Sequence, residues 1–425
     1  MSALIIFGLL TILMLTGMPI SISLGLTVLT FLFTMTQVPV EAVALKLFTG
    51  IEKFEIMAIP FFILAGNFLT HGGVAKRMIN FSTALVGHWR GGLALGGILA
   101  CALFAAVSGS SPATVVAIGS ILLPAMVKQG YPMKFGVGVI GTAGGLGILI
   151  PPSIVMVIYA VSTNSSIGQL FIAGIIPGLL LTALLMFVTW FVAKKRGYPC
   201  LPKASMEARL KAFRECIWGL LLIVVVIGGI YSGIFTATEA AAMSAVYAFF
   251  VAIFIYKDMK LKDVPKTLLA SANMSAMLLY IITNAVLFSF LLTSEQIPQQ
   301  LTAWITDLGL GPIGFLIMVN LLLLAAGNFM EPSSILLITA PLLFPMAMQL
   351  GINPIHLGII MTVNMEIGMI TPPVGLNLYV ASGISRLGLT ETTKACAPWI
   401  LVMLAFLLLI TYVPAVSLWL PNLLF

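Results

Sequence analysis

Gly147-Ile148-Leu149-Ile150-Pro151-Pro152-Ser153 and Gly368-Met369-Ile370-Thr371-Pro372-Pro373 contain the only two Pro-Pro pairs in the chain, and each sits inside a long apolar stretch, 134–163 and 355–385. Proline has no amide hydrogen and clashes with the carbonyl one turn earlier, while glycine reaches backbone conformations closed to other residues, so both stretches read as helices broken partway. The two breaks are related. Pro124 and Pro345, Gly130 and Gly351, Gly147 and Gly368, and the two Pro-Pro pairs all lie 221 positions apart, with Pro112 and Pro332 at 220. That register implies an internal duplication.

The surroundings are those of a membrane protein. Of 425 residues, 60% are hydrophobic and 8% charged, where a soluble domain carries about 25% charged residues. In hydrocarbon every backbone amide needs an internal partner, which leaves helices or closed barrels. The two-residue alternation of a barrel is missing, so the fold class is all-α. The first sixteen residues carry no Lys or Arg ahead of their apolar run and read as a retained helix rather than a signal peptide.

The pairs 92–107 with 113–128 and 312–329 with 334–350 read as re-entrant hairpins, because limbs of about 16 residues fall short of the roughly 20 that a full span needs. The other ten segments then alternate. Eighteen Lys and Arg residues, from Lys76 to Lys394, fall on one side and only Lys46 and Lys53 on the other. The basic side is the inner one and both termini lie outside. The resulting organisation is two inverted-topology repeats: 1–193, with hairpin 92–128 and broken helix 134–163, and 215–425, with hairpin 312–350 and broken helix 355–385. A basic cytoplasmic linker, 194–214, joins them. Segments 74–88 and 296–307, the latter with Ile297, Leu301, Trp304, Ile305 and Leu308 on one face, read as amphipathic helices along the interface.

Cys101, Cys200, Cys216 and Cys396, like His71, His88 and His356, lack metal-ligand or redox spacing. No organic cofactor is expected. There is no GxSxG, P-loop or HExxH, so neither an enzyme nor direct use of ATP is indicated, and the basic residues cluster between apolar runs rather than along a nucleic-acid groove.

Polar chemistry concentrates at four interruptions. Besides the two breaks, these are Ser108-Gly109-Ser110-Ser111-Pro112-Ala113-Thr114 and Gly327-Asn328-Phe329-Met330-Glu331-Pro332-Ser333-Ser334. Irregular backbone at membrane depth must be enclosed or line a cavity, and freed carbonyls with Ser, Thr and Asn oxygens suit a hard monovalent cation, one site per repeat. Helices starting at Pro112 and Pro332 would aim their positive ends at an anionic substrate group. The plain alternative is that these residues only cap half-helices. Glu331 could balance a cation, carry a proton or cap the helix that follows. Glu366 has Gly145 at its equivalent position, and Glu239 reads as a capping-box residue.

Together with Gly233-Ile234-Phe235-Thr236-Ala237-Thr238-Glu239-Ala240-Ala241-Ala242 and Ile370-Thr371-Pro372-Pro373-Val374-Gly375-Leu376-Asn377, these strings resemble the large membrane subunit of tripartite ATP-independent periplasmic (TRAP) transporters over essentially the whole chain. The resemblance implies a sodium-driven importer of an organic acid, working by an elevator movement in the bacterial inner membrane. It also implies a soluble periplasmic binding protein and a small four-helix membrane subunit as a separate chain. Substrates would be C4-dicarboxylates or sialic acids, with the sialic-acid (N-acetylneuraminate) branch looking closest. Carried over by motif, Ser108, Ser110, Gly147 and Pro151 would serve one sodium ion, and Asn328, Ser333, Gly368 and Thr371 a second. Ser111, Thr114, Ser153, Glu331 and Asn377 would line the substrate cavity. A stand-alone divalent-anion symporter, a passive channel and a membrane anchor are the competing readings.

Overall fold

The computed structural model describes residues 2–36, 38–307, 309 and 311–424, with the backbone alone for Val40, Thr302 and 304–307. Among them the secondary structure is helical throughout. Among the described residues nine helical stretches are long and apolar enough to cross a membrane, and Ser2–Leu15, Ile20–Met35, Gly92–Ser108, Pro312–Gly327 and Ala415–Leu424 are shorter apolar helices.

Both Pro-Pro stretches break their helices. The first runs Met133–Ala143, then one turn Leu146–Leu149, then Ile154–Thr163. The second runs Pro354–Gly368 and resumes as Leu376–Ser385. Each Pro-Pro bond is cis. Both hairpins form as well: Gly92–Ser108 turns into Ser111–Lys128, and Pro312–Gly327 turns into Pro332–Gln349. Pro112 and Pro332 stand in the first turn of the returning limb, where a missing amide costs no helix hydrogen bond.

Both tips pack near the middle of neighbouring helices. Gly66, near the middle of Ala58–His71, packs so closely that a Cβ there would stand 3.0 Å from the Ser108 carbonyl oxygen. The second tip shares a cavity with Met274 and Leu278, midway along Val264–Ser294. The first broken helix is almost wholly buried, as is Pro354–Gly368 of the second, whereas Leu376–Ser385 is partly exposed. Met206–Tyr231, by contrast, turns most of its surface outward, with apolar side chains such as Val224, Phe187 and Leu401 exposed on the outer helices, as lipid-facing surfaces require.

Several boundaries differ from expectation. The polar stretch 194–214 is largely helical, since Ile167–Lys195 and Met206–Ile223 extend into it and leave a loop of 196–205. Val40–Thr49 is an additional helix, started at Pro39. The chain ends in two helices, Leu389–Tyr412 and Ala415–Leu424, because Pro414 cannot continue the hydrogen-bond ladder. Helix Val74–Val86 buries Val74, Met78 and Ile79 as its amphipathic pattern suggests. Helix Ile297–Asp307 forms, while Leu308 and the side chains of Trp304 and Ile305 lie outside the described residues.

Candidate functional site

Hairpin tips and helix breaks pack onto one another, repeat by repeat. At the first tip Gly109 takes a left-handed conformation (φ 61°) and Ser110 an extended one, which frees the chain to turn within two residues. The Ser108 hydroxyl lies 3.0 Å from that of Thr114, whose own hydroxyl donates to the Ser110 carbonyl at 2.8 Å. The tip then presses on the first break. A Cβ on Gly147 would stand 2.6 Å from the Ser110 carbonyl oxygen, and one on Gly109 would stand 2.9 Å from the carbonyl oxygen of Pro152, the residue after Pro151. Ser108, Ser110, Thr114 and Gly147 are thus brought together, with Pro151 one residue removed.

The second tip repeats this with different residues. Gly327 and Gly368 meet face to face, and the Val374 amide donates to the Asn328 carbonyl at 3.0 Å, tying tip to break. Thr371 turns its hydroxyl back to the Ile367 carbonyl at 2.7 Å, and Ser333 donates to Glu331 at 2.6 Å. Asn328, Gly368 and Ser333 therefore belong to one tip-and-break cluster, with Thr371 on the turn beside it. Among the described residues no three His, Cys, Asp or Glu side chains gather as a metal site. The donors at both clusters are neutral carbonyl and hydroxyl oxygens, with Glu331 the one carboxylate, a set that fits a hard monovalent cation.

Between the tips lies a cavity of ≈200 Å³. Ser110, Ser111 and Pro112 wall it from the first hairpin, and Glu331, Pro332 and Ser333 from the second. The two helix ends that face it are electrically unequal. Glu331 caps the second, accepting from the Ser334 amide at 3.2 Å and from the hydroxyls of Ser333 and Ser334. No side chain caps the first. A carboxylate already occupies one positive helix end, and the other is open to an anionic group from outside the chain.

Of the residues expected to line the substrate space, Ser111 and Glu331 do so. Asn377 is buried and donates to the Ser111 hydroxyl at 2.6 Å, joining second repeat to first behind the cavity wall. Thr114 is spent on Ser108 and Ser110. Ser153 does not line the cavity: its hydroxyl donates to the Ile148 carbonyl at 2.6 Å and accepts from the Met156 amide, capping Ile154–Thr163. Sequence reasoning missed Met274, Met277 and Leu278, which form the third wall. The signal available was the pair Ser271 and Ser275 at helical spacing in an apolar segment. Asn67, inside Ala58–His71, donates to Ser271 at 2.8 Å. Glu239 does form a capping box with Thr236. Glu366 is fully buried with neither oxygen partnered, and it packs on Gly145, its own equivalent in the other repeat.

Such an assembly, helical, multi-pass and with two tip-and-break clusters around a central, mostly apolar cavity whose few polar groups come from the two tips, defines a membrane transport protein. Comparison with known proteins supplies the particular kind. Residues 7–416 match the family described as the tripartite ATP-independent periplasmic transporter, DctM component. The chain is 72% identical to the C4-dicarboxylate TRAP transporter large permease protein DctM of Rhodobacter capsulatus, over the full length of both. It is 56% identical to the protein of that name in Pseudomonas aeruginosa, over 94% of each. Identity to the sialic acid TRAP transporter large permease protein SiaM of Vibrio cholerae is lower, 37% over 98% of each. The leaning toward the sialic-acid branch is corrected accordingly.

Among solved structures, the Alcanivorax borkumensis YdaH transporter, described as having an unusual topology, matches with a TM-score of 0.61 at 18% identity, over 92% of this chain and 90% of that one. That likeness concerns the fold. The chain belongs to the TRAP transporter large permease family: it is a multi-pass membrane transport protein of a tripartite system, not an enzyme.

Proposed function

We propose that this permease carries a C4-dicarboxylate into the cell, coupled to sodium. The observation that carries the reading is the convergence of both hairpin tips on one ≈200 Å³ cavity with an uncapped helix N-terminus at Ser111. That volume is below the roughly 300–1,000 Å³ of drug-sized ligand pockets, which suits a four-carbon diacid better than a sialic acid. The names of the relatives at 72% and 56% identity support the same substrate class. One substrate carboxylate would be held by the free amides ahead of Ser111–Lys128.

Sodium ions, about two, would supply positive charge against the diacid. The first would sit with Ser108, Ser110, Gly147 and Pro151, and the second with Asn328, Ser333, Gly368 and Thr371. The two repeats are read as inverted, with hairpins and broken helices moving together past the outer helices in an elevator motion. Family membership supports a soluble periplasmic binding protein that delivers substrate and a small membrane subunit as a separate chain. The setting is the bacterial inner membrane, with the basic loops inside and both termini outside.

The test is uptake of labelled succinate into proteoliposomes holding this chain, its small subunit and the binding protein. Uptake should require an inward sodium gradient and all three proteins. Ser108→Ala and Thr371→Ala should each raise the sodium concentration for half-maximal uptake about ten-fold, the loss of roughly one ligand contact. Uptake by the chain alone, or sodium activation unchanged in both variants, would remove the tripartite reading or the assigned sites respectively.

A further inference from the structure

A basic concavity lies away from the central cavity, where Met133–Ala143, Ile167–Lys195 and Leu389–Tyr412 meet. It is a cleft of ≈350 Å³. Its rim carries Lys134, Arg196, Lys394 and a single acid, Glu391. Glu391 pairs with Lys134 and stands 3.6 Å from Lys394. One carboxylate cannot neutralise three cations, and among the described residues Arg196 has no acidic partner, its guanidinium reaching only the Tyr198 hydroxyl at 3.4 Å. The side chains of Lys134 and Lys394 remain 63% and 71% exposed, so their charge is available to a ligand.

Below this rim the walls are apolar. Phe135 and Trp399 face each other with ring centroids 5.7 Å apart, beside Val192 and Pro398. The Trp399 indole nitrogen is already spent on the Thr189 hydroxyl at 2.8 Å, so the little of this buried ring that lines the cleft is apolar. A small inorganic anion would use the rim and leave these walls without a role. An amphiphile uses both. The cleft also sits where one spanning helix ends, at Lys195, and another begins, at Leu389, which is headgroup depth.

We infer that this cleft binds an acidic phospholipid, its phosphate on Arg196 and Lys394 and the start of an acyl chain against Trp399 and Pro398. Guanidinium matches phosphate in a bidentate way, and the anionic headgroup supplies the negative charge that Glu391 alone does not. The lipid would bridge the first repeat, through Lys134, and the linker, through Arg196, to the last long helix of the second repeat, through Lys394. The inference is independent of the substrate reading.

The full-length chain in detergent, titrated with phosphatidylglycerol or phosphatidylcholine and read by native mass spectrometry, tests it. The wild type should retain phosphatidylglycerol and not phosphatidylcholine. The double variant Arg196→Gln/Lys394→Gln should retain it about thirty-fold more weakly, at roughly one basic residue's electrostatic contribution each. Lys262→Gln/Lys266→Gln, which removes the same charge elsewhere, should behave as wild type. Equal loss in that control, or no loss in the cleft variant, overturns the site. Complete displacement of the lipid by inorganic phosphate assigns the cleft to a free anion and overturns the lipid. Should the cleft variant not fold, brominated-chain phosphatidylglycerol must quench wild-type tryptophan fluorescence more than the brominated phosphatidylcholine does. Equal quenching would also overturn the site.

Discussion

At Gly147 a single missing methyl group decides whether tip and break can touch. The atoms it would meet are the Ser110 carbonyl oxygen at 2.6 Å and the Ser111 Cα at 2.8 Å, both backbone, so no side chain can rotate aside. Gly147→Ala should therefore lower stability by about 1–3 kcal/mol, as overpacking does, and abolish uptake because the first cluster is pried open. Gly383 is the control: it is exposed, helical and has nothing within 4 Å of an added Cβ. Gly383→Ala should raise stability by roughly 0.5–1 kcal/mol. Thermal unfolding in detergent reads both, and a neutral Gly147→Ala would contradict the close packing.

Glu331→Ala removes the acceptor of the Ser334 amide and of two hydroxyls, and should cost about 1 kcal/mol as a lost helix cap. It would also leave the second helix end as open to anions as the first. Dicarboxylate binding measured by calorimetry should then gain on monocarboxylate binding, because two open helix ends suit two carboxylates, a change that a purely structural cap would not produce.

Among the elements, what could be read from sequence was whatever local chemistry dictates. Pro112, Pro332 and the two Pro-Pro pairs stop or start helices wherever they stand, and the tips and breaks fell where those residues put them. Thr236 and Glu239 at capping-box spacing were equally local. Contacts made across the fold were not legible. That Glu366 rests on Gly145 required knowing that the two broken helices cross at equivalent turns, and Ser153 looked free because nothing in the string shows that the Ile148 carbonyl bends back to receive it. Val40–Thr49 is short, with its basic residue in the last turn, and gave no long apolar run to count.

One such non-local tie makes a prediction at this scale. Lys53, just before a short helical turn, donates to the Val161 carbonyl at 2.8 Å and to the Asn164 side chain at 2.7 Å, clasping the C-terminal end of Ile154–Thr163. It satisfies a helix-end carbonyl with a cation on the side the macrodipole favours. Lys53→Met should leave the fold intact and speed amide hydrogen exchange in 154–164 several-fold, an opening made easier by about 1 kcal/mol. Unchanged exchange there would mean the clasp carries no energy.

For the whole molecule, orientation in the bilayer is the property on which the direction of transport depends, and the chain holds its own reporter. Cys101, Cys216 and Cys396 are buried, whereas Cys200 is exposed in the loop 196–205 between the two halves. That loop follows Lys194 and Lys195 and contains Arg196 and Lys203, part of the basic set that should stay on the cytoplasmic side. A membrane-impermeant maleimide should then leave Cys200 unlabelled in intact spheroplasts and label it in inside-out vesicles, and Cys200→Ser should abolish the signal. With the hairpins read as re-entrant, an odd number of crossings separates this loop from each terminus, so the same result would support both ends lying outside. Labelling in spheroplasts instead would invert the topology and turn the uncapped helix end at Ser111 toward the membrane face opposite to the one that import needs.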